Sequence, residues 1–309
     1  MFRYSPIEYS PYLSKLTQTD FYIKREDLIP FGGGGNKARI VRRLLDDAKK
    51  QQADVIVTAG GPYSNFNRAL ALTAIPEGFL VKIILIQKEE PLPEYPLNKK
   101  ICDFMGVEFI ESLPEKTSDT IRVQLEKLEA KGSRPYFIYG GGHTSVGCEA
   151  YLDSSKEILE QLGFVPNLIA TPLATGTTFT GLLAGSKIHL PNTEILGISV
   201  AREKRQIIAN TQAQLGSIHK TQGEVINFSD LENQLVDGYT CGGYGKKTPE
   251  LEDFIQKTMV HTGLLLDPIY SGKGLFGLTQ HLRQTQKYQG KKVVFLHTGG
   301  VFNFASKGH

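Results

Sequence analysis

The sequence predicts an α/β protein built on parallel β-sheet flanked by helices, and three observations carry that prediction. Short β-rich runs alternate with helical patterns almost from end to end, at a spacing that requires crossover connections. A chain of 309 residues with 40% hydrophobic content can bury a sizeable core, as one large domain or two lobes. Four of the strand patterns run into glycine-bearing turns (58-TAGGPYSN-65, 138-IYGGGHTS-145, 171-TPLATGTTFTG-181 and 297-HTGG-300), and in open α/β sheets ligands gather at the carboxyl ends of strands.

The elements follow in chain order. The run 31-FGGGG-35 opens into 36-NKARIVRRLLDDAKK-50, where Ile40, Val41, Leu44, Leu45 and Ala48 form one helical stripe. A glycine run costs backbone entropy, so close approach or unusual dihedrals are expected of it. Strand 55-VIVTAG-60 leads to a helix start at 60-GGPYSNFNRALALTA-74, where Ser64 and Asn65 stand at capping positions; Ser64 reads either as a cap or as a carboxylate ligand. Strand 80-LVKIILI-86 precedes a loop at 91-PLPEYP-96, and 119-DTIRVQLEKLEAKG-132 is a surface helix with a glycine stop. Strands at 135-PYFIYG-140, 166-PNLIATP-172, 194-EILGISV-200 and 293-VVFLHTGG-300 complete the alternation.

Composition narrows the partners. The 35 basic and 32 acidic residues are well mixed and leave a net charge of +3, so neither a nucleic-acid footprint nor a membrane-binding patch is expected. The first residues, MFRYSPIEYSPYLSKL, lack the apolar core of a signal peptide, and no apolar run approaches a membrane span. A cytoplasmic protein acting on a small molecule is expected. Cys102, Cys148 and Cys241 are scattered and odd in number, which fits neither a disulfide framework nor a zinc site. His143, His261 and His297 have no metal-ligand spacing.

The strongest anion site is 174-ATGTTFTG-181, which opens the helix 178-TFTGLLAGS-186. Small residues turn N–H groups inward, the hydroxyls of Thr175, Thr177 and Thr178 add donors, and the helix N-terminus favours a phosphate. The loop is neither a Walker loop nor a dinucleotide fingerprint. A phosphate site on one helix, a carboxylate site on another and a lysine on a glycine platform describe an amino acid held with a phosphorylated aldehyde cofactor, Lys37 being the Schiff-base residue.

At this point the chain resembles a known family. The segments 22-YIKREDLIPFGGGGNKARIVRRLL-45, 58-TAGGPYSNFNRALALTA-74, 174-ATGTTFTGL-182, 264-LLLDPIYSGKGLFGL-278 and 293-VVFLHTGG-300 are similar, in order, to the pyridoxal-phosphate enzymes of the 1-aminocyclopropane-1-carboxylate deaminase and D-cysteine desulfhydrase family, of the tryptophan synthase β-like fold group. The resemblance implies a two-lobed fold type II enzyme, with residues 1–47 and 146–309 in a large cofactor-binding domain and 48–145 in a small one, and a homodimer. It implies that Lys37 holds the aldehyde of pyridoxal 5′-phosphate and later acts as a base, the glycines letting the chain approach the cofactor. Asn65 then bonds the phenolic oxygen, and Thr175, Gly176, Thr177 and Thr178 the phosphate. Ser64 lies beside the substrate carboxylate and Tyr270 lines the substrate side as acid, base or gate. Ser271 occupies the position facing the ring nitrogen, where the family's ring-opening deaminases carry Glu; a hydroxyl leaves the ring largely neutral and tilts the expectation toward β-elimination from a small amino acid.

Departures from the family pattern bear on the substrate. Tyr63 and Phe66 stand where the family commonly has Gln and His, and Thr262 replaces a Glu before the D-P-x-Y motif. Phe66 is expected to remove a polar ring from the pocket rim, Tyr63 to add a phenol near the carboxylate site, and a Phe66→His change to move substrate preference toward the family's usual compounds. Tyr244 either lines the pocket or packs its loop, Lys273 reads as a surface lysine at a helix start, and His297 as a structural group. A lyase or deaminase is the leading expectation, with a β-replacement synthase or a non-catalytic cofactor-binding protein as alternatives.

Overall fold

The computed structural model describes residues 5–87, 95–222, 231–243 and 245–304. Six strands form the larger sheet in the order β1 (Ile7–Tyr9), β2 (Asp20–Lys24), β10 (Lys292–Leu296), β7 (Leu168–Leu173), β8 (Glu194–Ser199) and β9 (Leu235–Val236). Only β1 and β2 pair antiparallel. The smaller sheet is fully parallel, in the order β5 (Glu108–Ser112), β4 (Leu80–Ile86), β3 (Val55–Gly60) and β6 (Pro135–Ile138). It comes from one continuous segment, whereas the larger sheet draws on both ends of the chain.

The strands follow from their residues. Val55, Ile56 and Val57 are all buried, the continuous apolar run of a strand covered on both faces. In β2 the alternation is short: Phe21 and Ile23 turn inward under the larger sheet. The helix α2 (Asn36–Lys50) buries the predicted stripe of Ile40, Val41, Leu44, Leu45 and Ala48. These residues join a core cluster that takes Ile56 and Ile83 from the smaller sheet and Ile169 and Val294 from the larger, so one apolar core runs across both lobes. Separate clusters lie on the far face of each sheet, one under α9 (Pro249–Thr262) and α10 (Ser271–Thr285), the other under α5 (Thr117–Ala130).

The 24-KREDL-28 motif is structural. Arg39 of α2 grips Glu26 with Nε and Nη2 at 2.8 and 2.7 Å, and Glu157 of α6 (Ser145–Leu162) with Nη1 at 2.6 Å. Lys24 pairs with Glu157 and donates to the Ser5 carbonyl, while Tyr151 and Ser5 hydroxyls donate to Glu26 at 2.6 Å. This buried lattice fixes α2 against β2 and α6, and the two guanidinium bonds hold the Glu26 carboxyl down at about 2 despite its burial. Among the described residues no helix is long and apolar enough to cross a membrane, and no cluster of three or more metal-ligating side chains occurs. Most of the loop expected at 91–96, and Tyr244, lie outside the described residues.

Candidate active site

A cavity of about 460 Å³ opens where the carboxyl ends of strands from both sheets face each other. Its wall contains Lys37, Tyr63, Ser64, Asn65, Phe66, Thr175, Gly176, Thr177, Thr178 and Tyr270, every site residue expected from sequence except Ser271.

Lys37 stands in the first turn of α2, and the loops beneath it determine where that turn begins. The Gly35 N–H donates to Glu26 O at 2.8 Å and the Asn36 N–H to Thr298 O at 3.0 Å. Gly34 and Gly35 have φ of 72° and 88°, and a Cβ on them would stand 2.4 Å from Asp27 O and 2.9 Å from Thr298 O. None of the four glycines reaches the cavity wall. The run therefore serves backbone packing behind the lysine rather than approach to a ligand, which revises the expectation drawn from the resemblance. Lys37 Nζ donates to Gly141 O at 3.1 Å, and desolvation lowers its pKa to about 8, with the Cys148 thiol opposing slightly. A cation in the first turn of a helix also opposes the helix dipole.

The anion end is the start of α7 (Thr177–His189). Gly176 caps it at φ 99° with no side-chain hydrogen bond, so the first N–H groups remain open beside the hydroxyls of Thr175, Thr177 and Thr178. Asn36 Nδ2 donates to Thr178 Oγ1 at 2.9 Å and ties this helix start to that of α2.

Opposite lies α3 (Asn65–Ala74). The Ser64 Oγ accepts from Asn67 N at 3.2 Å, a helix cap that leaves the hydroxyl proton for another acceptor. The Asn65 Oδ1 accepts from Arg68 Nη1 and from Asn98 Nδ2, each at 3.1 Å. Those two bonds fix the amide, and its NH2 is the group left for the cavity. Phe66 meets the wall but is 1% exposed, its ring against Gly142 in the core, so it is not a rim residue.

Ser271 is fully buried one residue behind Tyr270 and does not line the cavity. Its hydroxyl donates to Asp267 Oδ1 at 2.6 Å and accepts from Asp267 N at 2.9 Å. The buried Asp267 carboxylate also takes the N–H groups of Ile269, Tyr270 and Ser271, which sets the turn that carries Tyr270 to the wall. Lys273 is buried rather than on the surface, donating to Thr240 O and Gly243 O at 2.6 and 3.0 Å. His297 is buried, accepting from Gly299 N and bonding Leu265 O, which shapes the turn at 298–300.

Sequence reasoning missed Arg202, Arg68 and Asn98, whereas Gly141 lies in one of the four glycine-bearing turns it expected at the pocket. Arg202 lines the cavity just past the carboxyl end of β8, a position the strand-end rule singles out. Arg68 stands three residues after Asn65 on one helix face. No local signal marks Asn98, which arrives from α4 (Leu97–Phe104).

The wall fits pyridoxal 5′-phosphate. An uncapped helix start with three hydroxyls suits a phosphate, and a lysine of lowered pKa suits an aldehyde. A Cβ on Gly141 would come 3.0 Å from Thr175 and 3.6 Å from Lys37 Nζ, filling the cradle between anchor and phosphate end. The charged residues in the wall, Lys37 and Arg202, are both cationic.

Such a fold and wall define a cofactor-dependent enzyme of amino-acid chemistry with its site between two lobes. Residues 2–299 match the family described as pyridoxal-phosphate dependent enzymes, and the chain belongs to that family. It is 34% identical over 313 residues to a Pyrococcus furiosus protein described as a candidate 1-aminocyclopropane-1-carboxylate deaminase, covering 98% of this chain and 92% of that protein. It is 32% identical over 308 residues to the D-cysteine desulfhydrase of Salmonella typhi, covering 96% and 92%. A solved structure described as an ACC deaminase homologue superposes with a TM-score of 0.88 at 30% identity over 97% of this chain and 90% of its own. An O-acetylserine dependent cystathionine β-synthase from Helicobacter pylori shares the fold, with a TM-score of 0.68 at 19% identity over 99% and 96%. The fold is the two-lobed tryptophan synthase β-like arrangement, fold type II.

Proposed function

We propose that the chain removes the α-proton of a small amino acid and eliminates a β-substituent such as a thiol, releasing an α-keto acid and ammonia after hydrolysis. Relatives carry the names of both a ring-opening deaminase and D-cysteine desulfhydrase. One observation favours the second chemistry: among the described residues no carboxylate lines the cavity, and Ser271 stands where the resemblance gives ring-opening enzymes a Glu. Pyridoxal 5′-phosphate supplies, when bound, an aldehyde that condenses with an amine and a conjugated ring that draws electrons from the substrate α-carbon.

The chain's residues do the rest. Lys37 Nζ would anchor the aldehyde and would then serve as the base that takes the substrate α-proton, its lowered pKa suiting neutral pH. The start of α7 with Thr175, Gly176, Thr177 and Thr178 holds the phosphate, and the Asn65 amide donates to the phenolic oxygen. The Ser64 hydroxyl and the start of α3 receive the substrate carboxylate. Tyr270 and Tyr63 bound the substrate on its other sides, and Phe66 supports the wall from the core. Ser271 acts through Asp267 on the turn that carries Tyr270 and would face the ring nitrogen of the cofactor. Residues 1–47 and 146–309 form the large domain and 48–145 the small one in this reading, a homodimer is the family expectation, and a cytoplasmic location fits a chain among whose described residues no helix is long and apolar enough to cross a membrane.

The test compares visible spectra of the purified protein and its Lys37→Ala variant, with and without borohydride, and then measures keto acid and sulfide from D- and L-cysteine. A band that needs Lys37, with keto-acid release, is expected. A lysine-dependent band that responds to amino acids with no keto acid formed would sink the elimination reading.

A further inference from the structure

Among the described residues Arg68 is the largest fully buried side chain, at 2% exposure. Among the described residues no carboxylate pairs with it, although burying an unpaired cation is costly. Its partners are neutral: Nη1 donates to Asn65 Oδ1 at 3.1 Å, Nη2 to Gly34 O at 2.9 Å, and the guanidinium stacks on Phe302 with its carbon 4.4 Å from the ring centroid. Asn98 adds an acceptor at 3.4 Å from Nη1 and a second donor to Asn65 Oδ1. Burial lowers the guanidinium to about 10, which still leaves it charged at neutral pH.

We infer that Arg68 is a positioning residue for the cofactor: it locks the Asn65 amide with its NH2 toward the cavity and supplies the buried positive charge that a bound anionic oxygen there neutralises. The inference rests on the proposed cofactor site. Asn65 Oδ1 has both acceptor directions filled, by Arg68 and Asn98, so a flipped amide would turn its NH2 onto two donors. An N–H whose carbonyl is held by a cation is also a stronger donor, because the amide is polarised. The same guanidinium holds the Gly34 carbonyl two residues before Asn36, so one side chain joins the Asn65 donor to the loop that presents Lys37. A structural arginine would do as well with a carboxylate beside it; the missing counter-charge is what points to an anionic ligand.

The test uses the full chain loaded with pyridoxal 5′-phosphate, in wild-type, Arg68→Met and Arg68→Lys forms. The readouts are the cofactor dissociation constant, the pH midpoint of the visible lysine-bound band, and the unfolding temperature. Arg68→Met is expected to weaken cofactor binding about tenfold or more, the loss of one charged hydrogen bond. It should raise the band midpoint by about one pH unit, because a nearby cation disfavours the proton on the lysine–cofactor linkage. The other titratable groups around the site, Lys37, Tyr63, Tyr270, Arg202 and His143, with Cys102 behind Arg68, are unchanged in the variant. Arg68→Lys should restore most of the midpoint. A lower unfolding temperature with affinity and midpoint unmoved would show a merely structural arginine and overturn the inference. Should Arg68→Met fail to fold, Asn98→Ala removes the other donor to Asn65 and must weaken cofactor binding; unchanged affinity overturns the inference equally. A wild-type chain with no lysine-dependent band overturns the underlying cofactor reading, and this inference with it.

Discussion

Lys37 presents to the cavity an amine that burial holds at about 8. At pH 7 about a tenth of such amines are neutral, against about one in three thousand at the ordinary value of 10.5. Only the neutral amine attacks an aldehyde, so capture of pyridoxal 5′-phosphate by the cofactor-free protein should speed up as pH rises and level off above about 8. Stopped-flow growth of the visible band against pH checks this, and a midpoint near 10.5 would mean that the lysine is not desolvated. Phe66 shows where residue-level reading fails. The family pattern, with His commonly at this position, suggested a rim position, but the first turn of α3 turns the ring onto Gly142 and into the core. Phe66→His would bury a polar ring there and should cost about 2–4 kcal/mol of stability. Thermal unfolding measures that loss, and an unchanged melting temperature together with a new substrate preference would return Phe66 to the rim.

At the scale of elements, sequence is most informative where a pattern is long and least where a contact comes from elsewhere. The α2 stripe, the β3 run and the capped start of α3 were legible because periodicity and capping are local properties. The short strands β1, β2, β5 and β9 were not: β9 has two residues and β5 is a largely exposed edge. The cavity wall was legible wherever it consists of a strand end and the helix start after it, which covers Ser64, Asn65 and the turn 175–178. Ser271 stands behind the wall with its hydroxyl held by Asp267, four residues earlier, a choice that side-chain packing makes and a motif does not record. The glycine run was read for the right reason and the wrong neighbour, since Gly34 and Gly35 meet the backbone at Asp27 and Thr298 while Gly32 and Gly33 meet the Thr73, Arg68 and Phe302 side chains. Gly34→Ala should therefore displace the start of α2, as its Cβ would collide with a carbonyl in a left-handed conformation. Stability should fall by about 1–3 kcal/mol for that strained residue, with weaker cofactor binding as the second sign. Wild-type affinity in a folded Gly34→Ala protein would mean that the loop tolerates the shift without moving Lys37.

On the scale of the whole molecule, the site depends on how firmly the start of α2 is held between two sheets, and the lattice around Glu26 does that holding. Lys24, Arg39 and Glu157 converge there from β2, α2 and α6, while Gly35 N bonds the Glu26 carbonyl directly. A buried lattice of this kind need not add net stability over an apolar replacement, but removing the Glu26 charge leaves Lys24 and Arg39 sharing Glu157, one buried cation in excess, and costs about 3–5 kcal/mol. Glu26→Gln should show that loss at neutral pH. The sign of the pH dependence follows from the depressed folded-state pKa. The unfolded chain binds this proton near 4.5 and the folded chain near 2, so the contribution is complete above 4.5 and is lost as pH falls through about 2. The stability difference between wild type and Glu26→Gln should therefore shrink across that window. Denaturant unfolding at a series of pH values measures it; a gap that stays constant down to pH 2 would mean that Glu26 is not charged in the folded protein. Because the same carboxylate's backbone anchors the turn below Lys37, acid should release cofactor from the wild-type protein before its secondary structure melts, which absorbance and circular dichroism recorded together would resolve.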